Sequence, residues 1–230
     1  MDGFLLVNKP AGISSFGVVA RVRRALSEAA GYKVKVGHTG TLDPAASGLM
    51  VLVIGKYCKR ANEFSKLDKT YEVEAALGAT SSTGDIEGEI TKKSTQRPDE
   101  TEVRMVLSKF VGNIYQTPPI YSAIKVNGQR AYKLARVGKE VKIEPRQVTI
   151  NSIENIEYKY PKLSFTTSVS SGTYIRSLVE DIGANLGTGA YMSALKRTKI
   201  ADYKIDDALE IEPLNAEIIQ RSVQTLPKHL

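Results

Sequence analysis

The longest uninterrupted apolar run in the chain is Leu49–Ile54, closed by Gly55. It falls far short of the roughly 20 residues that cross a bilayer, and it reads as a strand buried on both faces. The segment leading into it has the opposite character. Gly37-His38-Thr39-Gly40-Thr41-Leu42-Asp43-Pro44 is polar and glycine-rich, and reads as a loop. Asp43 is thereby set beside a core strand, and Pro44 restricts its backbone while bringing no competing N–H.

Other elements follow from periodicity and punctuation. Phe4–Val7 is a short apolar run ended by Lys9-Pro10 and Gly12, a first strand and its turn. Ser14 and Ser15 offer N-caps for a helix whose apolar residues Val18, Val19, Val22, Ala25, Leu26 and Ala29 share a face, with Gly31 as its stop. Tyr71–Leu77 alternates like a half-buried strand, and Ala79–Gly88 reads as a loop. Asp99 caps a helix running to Phe110, and Asn127-Gly128 marks a tight turn. Val148–Tyr158 and Leu163–Val169 read as antiparallel strands joined at Pro161. A helix opens after Ser170-Ser171-Gly172-Thr173 and runs to about Leu186, and a last amphipathic helix follows Glu212-Pro213. Strands and helices intermix without regular alternation. The expected fold is α+β, a mixed and largely antiparallel sheet flanked by helices, with no linker dividing residues 1–230.

Composition narrows the chemistry. One cysteine, Cys58, excludes an internal disulfide and a multi-thiolate zinc site, and two histidines, His38 and His229, leave few metal ligands. Met1-Asp2-Gly3 lacks the basic start and apolar core of a signal peptide, so a soluble cytoplasmic protein is expected. Lys and Arg total 32 against 25 Asp and Glu, a net charge of +7 that favours polyanionic partners. From Lys125 to Arg146, seven basic residues (Lys125, Arg130, Lys133, Arg136, Lys139, Lys142, Arg146) face only Glu140 and Glu144. That stretch is either a solvated helix face or an arm that grips phosphates.

Asp43 is a candidate acid, base or nucleophile, with a plain turn aspartate as the alternative. Arg176, near the start of a helix, can hold a carboxylate ionised or lie on the surface. Tyr71 and Tyr174 can stack on a base or sit in the core. His38 can exchange protons, stack, or have no task. Phosphate-loop, dinucleotide-binding and nucleophile-elbow motifs do not occur in the sequence. What remains is cofactor-free, metal-free chemistry by carboxylate, aromatic and guanidinium groups on an anionic substrate.

The segment Gly37-His38-Thr39-Gly40-Thr41-Leu42-Asp43-Pro44-Ala45-Ala46-Ser47-Gly48 closely resembles the catalytic-aspartate motif of the TruB family of pseudouridine synthases. Four more segments agree in order. Leu5–Ser15 resembles the family's Lys-Pro motif, and Lys69-Thr70-Tyr71 with Gly78 its tyrosine strand. Pro118–Gly128 with Arg130-Ala131-Tyr132 resembles its thumb-like RNA-binding insertion, and Gly172-Thr173-Tyr174-Ile175-Arg176 its arginine motif. The resemblance covers about Phe4 to Thr198.

The resemblance implies a pseudouridine-synthase fold and the isomerisation of uridine-55 in the T arm of tRNA, with no cofactor. It makes Asp43 the nucleophile, attacking either ribose C1′ or uracil C6. The target base must be extruded from a folded loop, at a cost of about a few kcal/mol. By the same resemblance His38 supports the disrupted loop, Tyr71 stacks on the flipped uracil with the option of relaying a proton, and Arg176 pairs with Asp43. Tyr174 and Leu195 match pocket-lining positions, while Lys9 and Pro10 support the pocket floor. Residues of about 117–147 match the thumb, so its basic side chains are expected on RNA phosphates.

Residues 200–230 form only a short C-terminal extension, without room for the RNA-binding PUA domain of many bacterial members. Action on tRNA without an obligatory protein partner is therefore expected, and a monomer is expected because nothing in the sequence resembles a dedicated dimer surface. The rivals are a guide-dependent synthase acting on ribosomal RNA and a non-catalytic tRNA-folding chaperone.

Overall fold

The computed structural model describes residues 1–122, 124–126, 128–136, 142–212 and 215–226, without the side chains of Lys125, Val126, Tyr132, Lys133 and Arg136. In chain order the elements are β1 (Gly3–Lys9), α1 (Ser15–Ala30), β2 (Val36–His38), β3 (Ser47–Ile54), α2 (Ala61–Ser65), β4 (Lys69–Leu77), β5 (Ala79–Ser81), β6 (Ile90–Lys92), α3 (Glu100–Ser108) and β7 (Gly112–Gln116). There follow β8 (Lys125–Val126), β9 (Gln129–Arg130), α4 (Ala131–Arg136), β10 (Arg146–Lys159), β11 (Lys162–Val169), α5 (Ile175–Asn185), β12 (Ala190–Ile200), β13 (Tyr203–Lys204), β14 (Leu209–Glu210) and α6 (Ala216–Ser222). Two compact units divide the chain, Met1–Tyr71 with Leu195–Leu230, and Glu72–Ala194. The chain passes from one unit to the other inside β4 and returns inside β12.

In the first unit the strand order is β14-β1-β3-β12-β4, with β2 on β3 and β13 on β12. β1 and β3 run antiparallel in register from Gly3↔Ile54 to Lys9↔Gly48, whereas β12 joins β3 in parallel at Lys196↔Ser47 and Arg197↔Gly48. The expectation that Leu49–Ile54 is buried on both faces holds, for all six residues are inaccessible. Alternate side chains Phe4, Leu6, Leu49, Val51 and Val53 pack with Phe64 and Ile200. An aromatic group completes that face, with Phe4 5.1 Å from Phe64 and edge-on to Tyr203 at 5.3 Å. Each fully buried Leu, Ile, Val or Phe contributes about 1.5–3 kcal/mol. Ser14 caps α1 by accepting from the Gly17 N–H, and Gly31 ends it in the left-handed conformation, φ +72°.

The second unit has the order β12-β4-β11-β10-β7. β10 and β11 form the expected antiparallel hairpin, and β7 pairs with β10 from Arg146↔Gln116 to Ile150↔Gly112. Asp99 caps α3 by accepting from the Glu102 N–H, which bears out the capping pattern. Short strands were less visible in the sequence. The segment expected as a loop over residues 79–88 carries β5, which pairs with β6, and His38 ends a strand instead of lying in the loop. β12, eleven residues long, had no periodic signal to announce it. Both units are mixtures of strand and helix, giving the α+β class expected. Among the described residues no helix is long and apolar enough to cross a membrane.

Candidate active site

In the first unit, the loop bearing Asp43 is held through its backbone on both sides of the aspartate. Ser15, at the start of α1, grips Leu42 twice. Its Oγ accepts from the Leu42 N–H at 2.8 Å and donates to the Leu42 carbonyl at 2.7 Å. On the other side of Asp43, the Pro44 carbonyl accepts from the Gly12 N–H at 2.8 Å and from Lys9 Nζ at 3.2 Å. Lys9 is wholly inaccessible, and its ammonium also donates to Pro10 at 2.9 Å and Ile13 at 2.7 Å. Three carbonyl acceptors thus meet the three donors of a buried cation. Lys9 thus ties the turn at Pro10 and Ile13 to the residue that follows Asp43.

A second buried cation holds the flanks of the same loop. Arg197, 1% exposed on β12, donates from Nε to the Leu49 carbonyl at 2.7 Å and from Nη2 to the Gly40 carbonyl at 3.2 Å. The approach of β12 also explains Gly48, whose φ is +111° and whose added Cβ would lie 2.3 Å from the Arg197 carbonyl oxygen. The Ala46 N–H closes a turn on the Asp43 carbonyl at 3.1 Å. Asp43 itself is half-buried, as are His38 on β2, opposite Leu52, and Leu195 on β12. Tyr71 is buried on β4, the neighbour of β12. Sequence reasoning missed Arg197, although it lies two residues beyond Leu195 on the same strand.

Lys69, two residues before Tyr71, is another buried amine. It donates to the carbonyls of Ser65 at 2.6 Å and Leu67 at 2.5 Å. Burial first, and the nearby Arg197 charge second, lower its pKa to about 8.

In the second unit Arg176 and Tyr174 meet at the start of α5. Tyr174 is the N-cap residue but makes no side-chain cap. Gln116, 1% exposed, fixes the Tyr174 backbone through both ends of its amide, accepting from the Tyr174 N–H at 2.8 Å and donating to the Tyr174 carbonyl at 3.0 Å. Ser177 adds a bond to the Thr117 carbonyl at 2.9 Å. The guanidinium of Arg176 donates from Nη1 to Thr83 at 2.9 Å and from Nη2 to Tyr121 at 2.8 Å, both carbonyls. Its Nε lies 3.6 Å from Asp85 Oδ2, with side chains 6% and 3% exposed. Asp85 Oδ1 in turn accepts from Thr83 Oγ1 at 2.5 Å and from the Glu87 N–H at 3.0 Å. Asp85 lies in a small-residue loop where nothing in the sequence set it apart. Burial raises the pKa of Glu180, one turn beyond Arg176, with the Arg176 charge opposing.

Arg146 donates to the Gly172 carbonyl and lies over the Tyr174 ring at 5.3 Å from its centroid. Of the other basic residues between Lys125 and Arg146, Arg130 is exposed on β9, and Lys142 is exposed with Glu144 3.5 Å away. Lys139 lies outside the described residues, and so do the side chains of Lys125, Lys133 and Arg136. Among the described residues no three His, Cys, Asp or Glu side chains converge as a metal-ligand set. The chemistry on offer is a carboxylate on a rigid loop in one unit, and a fixed guanidinium beside an aromatic ring in the other.

Comparison with known proteins places the chain in a family. Residues 23–175 match the TruB family pseudouridylate synthase N-terminal domain, and residues 176–230 the tRNA pseudouridylate synthase B C-terminal domain. The chain is 42% identical to tRNA pseudouridine synthase B of Opitutus terrae, over 94% of this chain and 88% of the relative. It is 42% identical to the protein of the same name from Burkholderia pseudomallei (strain 668), over 94% of this chain and 70% of that one. Among solved structures it is similar to a chain in a Cbf5–Nop10–Gar1 complex, with TM-score 0.74 and 26% identity over 97% of this chain. It spans 60% of the length of that structural relative. The motifs of both units and the sequence matched along nearly all of the chain lead to one conclusion: this protein belongs to the TruB family of pseudouridylate synthases.

Proposed function

We propose that this protein isomerises uridine-55 in the T arm of tRNA to pseudouridine, with Asp43 as the nucleophile. The observation that carries the reading is the clamped loop, in which Ser15 holds Leu42 and Lys9 with Gly12 holds Pro44. A nucleophile gains most when its backbone is fixed before substrate arrives. The substrate comes from the two bacterial relatives, each a tRNA pseudouridine synthase B.

In this reading the uridine flips out and its base stacks on Tyr71, in a pocket to which Tyr174 and Leu195 contribute. Asp43 attacks C1′ of the ribose or C6 of the uracil. The N1–C1′ bond breaks, the base turns, a C5–C1′ bond forms, and the bond from Asp43 to C1′ or C6 breaks, which regenerates the carboxylate. The proton on C5 leaves, by way of Tyr71 or solvent, and N1, freed from the ribose, gains one, so the product is an isomer of the substrate. Arg176 supplies the positive charge that keeps the carboxylate ionised as water is excluded. His38 supports the loop vacated by the base. The cations of the thumb neutralise phosphates without reading sequence.

The test is tritium release from a T-arm stem-loop carrying [5-³H]uridine at the target position, with no other protein or RNA present. Release at the target uridine is expected. A requirement for a guide RNA or an accessory protein would instead favour the guide-dependent rival, and tight binding without release would favour the chaperone.

A further inference from the structure

In the first unit, three chain segments converge on a hollow lined by Tyr32, Lys33, Lys35, Lys56 and Lys59, with Asp2 its one acidic neighbour. The site described above uses none of them. Local geometry forces the lysines outward. Val34 is buried, 6% exposed, so Lys33 and Lys35 on either side of it project together into solvent. Gly55–Arg60 is a 3-10 turn, in which residues three apart eclipse, so Lys56 and Lys59 share a face while Tyr57 and Cys58 pack inward. The two pairs are joined by the Gly55 N–H, which donates to the Lys35 carbonyl at 2.9 Å. Asp2 accepts from the Lys56 N–H at 2.7 Å and its other carboxylate oxygen lies 3.7 Å from the Lys56 ammonium, so one carboxylate, paired with one of the lysines, faces four ammonium groups. Tyr32 stands beside them with 61% of its surface exposed.

We infer that this hollow is a second RNA-binding surface, which holds backbone phosphates of the tRNA away from the reacting nucleotide; the inference rests on the substrate proposed above. Lysines are point charges that suit phosphate without reading bases, and an exposed tyrosine supplies a ring on which a sugar or base stacks. β3 runs from Ser47, next to the Asp43 loop, to Ile54, next to the hollow. At about 3.3 Å per residue its ends are about 23 Å apart. Phosphates held so far away strengthen binding without entering the chemical step.

The experiment compares wild type with a patch variant, Lys33→Gln/Lys35→Gln/Lys56→Gln/Lys59→Gln. A control of equal charge change, Lys92→Gln/Lys93→Gln/Lys109→Gln/Lys159→Gln, alters exposed lysines of the second unit. Thermal unfolding verifies folding of all three. For tRNA, the plot of log affinity against log salt should be shallower by about 2–3 for the patch variant alone, at about 0.9 for each phosphate that is no longer neutralised. KM should rise while kcat stays at the wild-type value. Unchanged affinity and slope in the patch variant, or equal weakening in patch and control, would overturn the inference. Binding reports on the hollow whether or not tritium is released, whereas absence of release by wild type would count against the proposed function. Should the fourfold variant unfold, Lys33→Gln/Lys35→Gln gives the same comparison with about half the change in slope.

Discussion

The Asp43 loop and the start of α5 are both held rigidly, but by different physics. Around Asp43, buried cations and a hydroxyl act on backbone groups, with Lys9, Arg197 and Ser15 reaching the residues that flank the aspartate. At α5 the backbone is fixed by a neutral amide, Gln116, while the Arg176 side chain is fixed by two carbonyls and the carboxylate of Asp85. The loop is a device for placing a residue, and the helix start is a device for placing a charge. Damage to the first should appear as lost geometry and lost stability. Damage to the second should also break a buried ion pair.

The largest expected effect is therefore at Asp85. In Asp85→Ala the Arg176 guanidinium keeps its carbonyl partners but loses a carboxylate within a buried pair, a change that costs about 3–5 kcal/mol. In a chain of this size that lowers Tm by about 10 °C, and kcat on a T-arm stem-loop should fall further than the stability loss accounts for. Unchanged Tm and kcat would show that the charge is balanced elsewhere.

Arg197→Met comes next. The side chain keeps its bulk but leaves the carbonyls of Leu49 and Gly40 without their donor, at about 2–4 kcal/mol in all. Thermal unfolding gives the stability change, and kcat should fall with KM little altered. If KM rises instead, Arg197 contributes to binding and the contrast between the two regions weakens.

The smallest effect concerns Lys69 and its dependence on pH. Its folded pKa, about 8, lies below the ordinary 10.5, so folding disfavours the charged amine. That penalty applies in full below about pH 8 and is relieved as the pH rises from about 8 toward 10.5, where the unfolded chain still holds the proton. Wild type should therefore gain stability relative to Lys69→Met over this window, read by chemical denaturation at pH 7 and pH 9.5. A constant difference would mean that the buried amine is not under strain.

Much of this was legible in the sequence because it was local. The Ser14 cap, the Gly31 stop and the Leu49–Ile54 run each declare themselves within a few residues. The Asp43 loop was legible too, since glycines and a proline crowd around a single carboxylate. β12 was not, because a strand that carries the buried Arg197 breaks the apolar alternation by which strands are recognised. Asp85 was hidden for a related reason. An acidic residue in a polar loop looks solvated until Thr83, the Glu87 N–H and Arg176, which lies far along the chain, close around it. Buried polar residues satisfied by distant partners are what a one-dimensional reading loses.

The most direct test of the account is a single substitution, Asp43→Asn, which preserves shape and removes the charge. Tritium release from [5-³H]uridine in the T-arm stem-loop should proceed with wild type and vanish with the variant, while Tm and RNA affinity stay the same. Release by Asp43→Asn within about tenfold of wild type would contradict the account, because a barrier change of about 1.4 kcal/mol is too small for loss of the nucleophile.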